Sequence, residues 1–194
     1  MSITRTKTKI SAPEGLASSY VLKMDRAVEW LGAVTYANFE KVLKEIKLKA
    51  RESKEEEITL FINSPGGATG IAMSFYDSMR LLGVGNLTTI GSGDVDSSGI
   101  IVFLAGKKRF LTKKTTLLLH LAGRTFDPSQ RFTTVEMESM LKEDKLKDYY
   151  YACVISDNSN GKVSTAEVLG MMANNTILTP DKAVRIGIAH GVLD

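Results

Sequence analysis

Hydrophobic residues recur along much of the chain at helical spacing. In residues 35–49 the apolar side chains Phe39, Val42, Leu43 and Ile46 fall at i, i+3, i+4 and i+7, and Thr35 is a suitable N-cap. This pattern predicts an amphipathic helix with one face against a core. Similar patterns predict further helices over residues 70–82, 97–105, 135–155 and 165–172, and residues 181–186 close the fold.

Short apolar and β-branched runs between these segments predict strands over residues 19–23, 58–62, 87–90, 109–112 and 116–120. Strands that alternate with helices across short turns are typical of an α/β fold with a parallel sheet. Residues 1–19 show no periodicity and are predicted to be an irregular segment. Residues 20–194 then form a single domain, with the charged run 51–57 as a solvated connection.

Composition and charge narrow the class of protein. Hydrophobic residues make up 43% of the 194 residues and charged residues 24%, and no apolar run approaches the ~18 residues of a membrane span. The formal net charge of +3 is spread along the chain, which argues against nucleic acid as a partner. The basic start (Arg5, Lys7, Lys9) is interpreted as a mobile tail rather than a transit peptide. One cysteine, Cys153, excludes an internal disulfide and fits a cytoplasmic location.

Three segments contain residues that could take part in catalysis, and the first of them is a turn. Ser64-Pro65-Gly66-Gly67 follows a predicted strand directly. Pro followed by Gly is typical of a type II turn, and the second glycine leaves the Gly67 amide unscreened by a side chain. Such an amide can approach a substrate oxygen closely, although an ordinary strand-to-helix turn would have the same sequence.

The second segment, residues 91–99, leads from a strand into an apolar helix. Ser97 lies at the helix N-terminus, where the helix dipole and free amides favour an oxyanion. Alternatively, Ser97 or Asp96 simply caps the helix. The segment lacks the third glycine of a dinucleotide fingerprint, and Val95 stands where a Gly-x-Ser-x-Gly elbow begins. Asp94 and Asp96 without a following glycine and distal glutamate do not make a calcium loop.

The third segment ends in one of only two histidines. His120 closes the apolar run 117–120, which places an imidazole at the end of a strand. A core histidine bonded to backbone is the alternative interpretation. His190 follows Gly187-Ile188-Ala189 in a predicted C-terminal turn and is expected to be solvated.

Taken together, these motifs resemble the Clp protease proteolytic subunit family. The resemblance rests on the sequence of residues 62–67 and 76–79, Gly93-x-x-x-Ser97-x-Gly99, residues 106–110 and Leu119-His120, and continues more weakly through residues 178–187. It implies an α/β, crotonase-like fold with repeated ββα units, a parallel sheet and a protruding handle helix within about residues 123–156.

The same resemblance implies a catalytic site. Ser97 matches the nucleophile, His120 the general base, and the backbone N–H groups of Gly67 and Ser98 the oxyanion-hole donors. Asn175 stands where the family has the acidic member of the triad. Because asparagine carries no charge, and the exchange of Asp for Asn lowers turnover about 10⁴-fold in a serine-protease triad, activity is expected to be low.

The family also implies an assembly. Two seven-membered rings stack into a tetradecamer, and an AAA+ unfoldase feeds it unfolded polypeptide. The subunit itself needs no cofactor, because the unfoldase uses the ATP. Asn174 replaces an arginine that forms a salt bridge between rings, and the N-terminal segment does not match the family's axial loop. Apolar docking residues are expected at Leu60, Phe61, Leu81 and Leu82.

Three alternatives to a peptidase with a Ser97, His120 and Asn175 triad are open. The first is a catalytically silent ring subunit that assembles with an active paralogue, which the Asn175 exchange favours. The second is an acyl-CoA enzyme of the related crotonase kind, which would use the Gly67 and Ser98 amides without a serine. The third is a Ser–Lys dyad with a lysine such as Lys113.

Overall fold

A computed structural model describes residues 5–11 and 19–193 of the chain. Its strands are β1 (Arg5–Ser11), β2 (Ser19–Lys23), β3 (Ala27–Leu31), β4 (Ile58–Ser64), β5 (Leu87–Val95), β6 (Lys108–Thr112), β7 (Leu117–Leu119), β8 (Thr176–Leu178) and β9 (Gly191–Leu193). Seven of them form one sheet in the order β2-β1-β9-β6-β5-β4-β3, and β7 pairs with β8 in a second, antiparallel sheet. The five strands from β9 to β3 are parallel, so the predicted α/β class with a parallel sheet is confirmed.

The described helices are α1 (Tyr36–Glu52), α2 (Thr69–Leu81), α3 (Ser98–Leu104), α4 (Thr134–Asp157), α5 (Thr165–Ala173) and α6 (Pro180–Arg185), with a short 3-10 helix at Met24–Arg26. Thr35 caps α1 as predicted, since its side chain accepts a hydrogen bond from Asn38 N–H. Thr133 and Ser164 begin α4 and α5 with reciprocal capping boxes, which satisfy two otherwise unpaired donors at each helix start. None of the described helices is long and apolar enough to cross a membrane.

The hydrophobic core lies between the parallel sheet and the helices. Trp30 of β3 meets Phe75 of α2 edge to face, with ring centroids 5.2 Å apart. All seven residues of α3 are buried, which explains why this segment is almost entirely apolar. Because α3 follows β5 directly, the core fixes the position of the junction that contains Ser97.

Helix α4 is the predicted handle. Only Tyr151, Ala152 and Ile155, all near its C-terminal end, are buried. The preceding turns project from the domain and expose Val135, Met137, Leu141, Leu146, Tyr149 and Tyr150. The protruding helix of the expected fold is therefore present, with apolar side chains that this chain alone leaves uncovered.

Several local predictions were wrong. Residues 5–11 form a strand that pairs antiparallel with β2 and β9, although the whole segment 1–19 was predicted to be irregular. Residues 1–4 and 12–18 of that segment lie outside the described residues. Strands β3, β8 and β9 were not predicted, because the last two have only three residues each and their stability comes from their partners. Arg51 and Glu52, assigned to a connection, extend α1.

Two predicted exposures were also wrong. The His190 ring is half-buried, and its Nδ1 accepts a hydrogen bond from Arg109 N–H at 2.9 Å, so it is not simply solvated. Leu60 is fully buried in β4 and cannot belong to an exposed docking surface, whereas Leu81 is 86% exposed. Successive side chains of a strand point to opposite faces of the sheet, and the apolar run alone did not show which of its residues would face the core.

Candidate active site

Ser97 has an unusual backbone conformation at the junction of β5 and α3. Its φ is 52° and its ψ is −130°, a combination that a residue with a side chain seldom adopts without support. Its N–H donates to the Leu118 carbonyl at 2.8 Å, and its carbonyl accepts from the Tyr151 hydroxyl at 2.8 Å and from Ile100 N–H at 2.9 Å. These bonds from three separate elements hold the serine in the strained conformation.

The glycine turn packs directly against this serine. Gly66 has a φ of 94°, and a Cβ at this position would lie 2.6 Å from the Ser97 Cβ and 3.1 Å from its Oγ. Only glycine allows so close an approach, which brings the first two candidate segments of the sequence together.

The same turn leaves a backbone donor unused. Gly67 forms an isolated parallel bridge with Val34. Its two neighbours make the hydrogen bonds: the Gly66 carbonyl accepts from Val34 N–H, and Ala68 N–H donates to the Val34 carbonyl. The Gly67 N–H itself points away from Val34. Within the described part of the chain, neither Gly67 N–H nor Ser98 N–H, the first amide of α3, has a hydrogen-bond acceptor. One of these amides directly follows Ser97, and the other directly follows Gly66, which packs against Ser97. Free backbone donors of this kind are what an oxyanion hole is made of.

His120 follows β7 and lines the same small cavity as Ser97. Its Nδ1 lies 2.7 Å from the Leu121 carbonyl oxygen. A carbonyl oxygen can only accept, so Nδ1 is the donor in this contact. In the neutral form of the ring the lone pair is then on Nε2, the tautomer that a general base needs. Between the described Ser97 and His120 side chains there is no hydrogen bond in this structure.

Asn175 lies at the end of β8 that faces His120, but its side chain is not part of the cavity. The pairing of Leu119 with Thr176 brings the two next residues, His120 and Asn175, to the same end of the β7–β8 sheet. Asn175 has a φ of 47° and is exposed. No hydrogen bond links its amide to the imidazole, so the structure does not bring the third predicted residue into contact with the second.

The two aspartates before Ser97 differ in role. Asp94 is exposed, whereas Asp96 is half-buried and its Oδ1 accepts from Leu118 N–H at 2.7 Å. Burial raises the pKa of the Asp96 carboxyl and the nearby Asp94 adds to this, while the Leu118 N–H and His120 act in the opposite direction. The Asp96 side chain therefore connects β7 to the β5–α3 junction, and it does not cap α3.

Seven residues that line the cavity were not predicted from the sequence, and two of them, Tyr151 and Asp148, bond to the backbone around Ser97 and His120. Tyr151 donates to the Ser97 carbonyl, and Asp148 accepts from Ala122 N–H at 2.7 Å through its Oδ1. Both belong to α4, and their helical spacing of three was the available signal that they share a face. Among the described residues, no group of three or more His, Cys, Asp or Glu side chains is placed to hold a metal ion.

The fold and the site together define a class of protein. A serine at a strained strand-to-helix junction shares one cavity with an imidazole in a parallel α/β domain, and these are groups that acyl-transfer sites use. The family model described as Clp protease matches residues 15–194. The chain therefore belongs to the Clp protease family, and the family that the motifs resemble is confirmed.

Individual relatives are similar to the chain at modest identity. The "ATP-dependent Clp protease proteolytic subunit 1" of Leifsonia xyli is 35% identical over 102 residues, which cover 51% of each protein, so the matched part spans about half of that relative. The proteolytic subunit of Deinococcus radiodurans is 24% identical over 156 residues, 79% of this chain and 72% of the relative. The chloroplastic proteolytic subunit 4 of Arabidopsis thaliana is 26% identical over an alignment that covers all of this chain and 65% of the relative.

Proposed function

We propose that the chain is a serine-type endopeptidase subunit of an ATP-dependent, self-compartmentalised protease that hydrolyses unfolded proteins to short peptides. The observation that carries the proposal is the cavity shared by the strained Ser97 and the Nδ1-protonated His120. Family membership and the names of the relatives support the same conclusion.

The chemistry follows from the groups around that cavity. Ser97 Oγ attacks the peptide carbonyl while His120 Nε2 accepts its proton, and the imidazolium then protonates the leaving amine. The Gly67 and Ser98 N–H groups donate to the oxygen that becomes negative in the tetrahedral intermediate. A water molecule activated by the same imidazole completes hydrolysis of the acyl-enzyme. No cofactor takes part in these steps within this subunit, because ATP is used by the unfoldase.

A second candidate function is a weak or silent ring subunit that assembles with an active paralogue. It is favoured by the exposed Asn175 amide, which makes no contact with His120, and by the missing hydrogen bond between Ser97 and His120. Hydrogen bonds of a catalytic site are often formed only when substrate is present, so the peptidase remains the first candidate.

We further propose that copies of the chain assemble into two stacked seven-membered rings through α4, and that an AAA+ unfoldase docks on the rings. The apolar side chains along the projecting part of α4 are exposed in the single chain, and contact with another chain would bury them. Exposed Leu81 and Leu82 at the end of α2 supply an apolar docking surface. Light scattering is expected to give a mass about fourteen times the 21.2 kDa of the chain, and Leu141→Glu is expected to lower it.

Labelling with a fluorophosphonate probe tests the proposed chemistry, because the probe phosphonylates activated serines. We expect one adduct per chain, located on Ser97 by peptide mass spectrometry, and none in Ser97→Ala. Ser92→Ala, in β5 and outside the cavity, is the matched control and should label like the unchanged protein. No adduct on the assembled protein, with or without an unfoldase and substrate, would support the silent subunit instead.

A further inference from the structure

Asp148 introduces a carboxylate into the cavity of Ser97 and His120. It lies on α4, is half-buried, and lines the cavity together with the serine and the imidazole. Its Oδ1 accepts from Ala122 N–H at 2.7 Å, two residues beyond His120. The carboxylate is thus fixed by the backbone of the segment that also carries the imidazole.

Among the described residues, no salt bridge involves the Asp148 carboxylate, although Lys147 lines the same cavity. Lys147, its neighbour on α4, pairs with Glu143, and Arg124 pairs with Glu143 and Asp144. Burial raises the pKa of Asp148, and Asp144 adds to this, whereas the Ala122 N–H and a charge on His120 lower it. The carboxylate and the His120 imidazole line one small cavity, where a negative charge on the first and a positive charge on the second would attract each other.

Other groups near the imidazole are less suited to this role. Asp96, from the β5–α3 junction, is also half-buried and also accepts one backbone N–H, but unlike Asp148 it does not line the cavity. Asp144 is one turn away on α4 and is bound to Arg124, and the Tyr151 hydroxyl is used on the Ser97 carbonyl.

We propose that Asp148 is the acidic positioning residue of this site, which stabilises the His120 imidazolium in place of the aspartate that Asn175 replaces. This inference rests on the proposed peptidase function. When Ser97 Oγ attacks, its proton moves to His120 Nε2, and the Nδ1–H remains on the Leu121 carbonyl. The ring then carries one positive charge, which the ionised Asp148 balances without itself accepting a proton.

Asp148→Asn tests the proposal, because the amide oxygen can still accept from Ala122 N–H while the charge is lost. We expect the plateau of the fluorophosphonate labelling rate to fall about threefold to tenfold and the acid limb of its pH profile to move about one unit lower. Merely loosening the cavity would lower the rate without moving this midpoint. Asp144→Asn is the control on the same helix, and Asp96→Asn is the control for a half-buried carboxylate that does not line the cavity. Circular dichroism and native mass verify that each variant folds and assembles.

A second measurement needs no activity. In Ser97→Ala protein with carbon-13-labelled histidine, the ring titration of His120 is followed by NMR, and a His190→Gln sample assigns its signal. We expect Asp148→Asn to move that titration midpoint about one pH unit lower and Asp144→Asn to leave it within a few tenths. An unchanged midpoint, or a shift produced by Asp96→Asn instead, overturns the role of Asp148. A protein that shows the shift but is never labelled at Ser97 would disprove the proposed function and leave the charge pairing intact.

Discussion

The Tyr151 hydroxyl provides the sharpest test of how the serine is held. Tyr151→Phe removes the one hydrogen bond by which α4 supports the Ser97 carbonyl and changes little else in a buried ring. The carbonyl keeps its bond from Ile100 N–H at 2.9 Å, so no acceptor is left without a donor. The loss is therefore that of an ordinary net hydrogen bond, about 1 kcal/mol, rather than that of a buried unsatisfied group.

For a domain of this size, a loss of about 1 kcal/mol corresponds to a fall in Tm of about 2–4 °C. Differential scanning calorimetry at one protein concentration measures it, with exposed Tyr150→Phe on the same helix as the control. We also expect fluorophosphonate labelling of Ser97 to slow about threefold to tenfold, because the strained φ of 52° loses one of its supports. Equal Tm values and equal labelling rates for the two variants would refute the idea that α4 holds the serine.

Three other changes have expected outcomes. Gly66→Ala places a Cβ against Ser97 at a φ of 94° and should reduce labelling at least tenfold, whereas Gly70→Ala, which meets no atom within 4 Å, should not. Asn175→Asp should leave the labelling rate within about twofold, because residue 175 is exposed and does not line the cavity, and a tenfold increase would show that position 175 still acts on His120. Burial, aided by the charge of Arg109, lowers the pKa of His190 to about 4 in the folded protein. As the pH falls, His190 is therefore protonated in the unfolded chain before it is protonated in the folded one. Stability should therefore fall as the pH drops from about 6.5 toward 4, and urea unfolding of His190→Gln should show a weaker fall.

Much of the site could be predicted because its key residues occur in local sequence patterns. A Pro-Gly-Gly turn, a serine before an apolar helix and a histidine closing an apolar run each have a local physical reason to lie at the edge of a sheet. Their meeting could not be derived from spacing alone, because it depends on the close approach of Gly66 to Ser97. Here the family resemblance added what the local patterns did not contain.

The residues that were missed act across long stretches of sequence. Tyr151 reaches a carbonyl 54 residues earlier, and Asp148 accepts from an amide 26 residues earlier. Helix periodicity shows that they share a face but not what that face contacts. The strand at Arg5–Ser11 is a similar case, since it is recognisable mainly by its pairing with β2 and β9.

Determining a structure of the fluorophosphonate-treated assembly tests the central claim most directly. The account predicts phosphorus bonded to Ser97 Oγ and a phosphoryl oxygen about 2.7–3.1 Å from both Gly67 N and Ser98 N. It also predicts His120 Nε2 directed at the serine oxygen, with the Asp148 carboxylate beside the ring. An adduct on another residue, or an adduct at Ser97 whose oxygen faces solvent away from both amides, would contradict it.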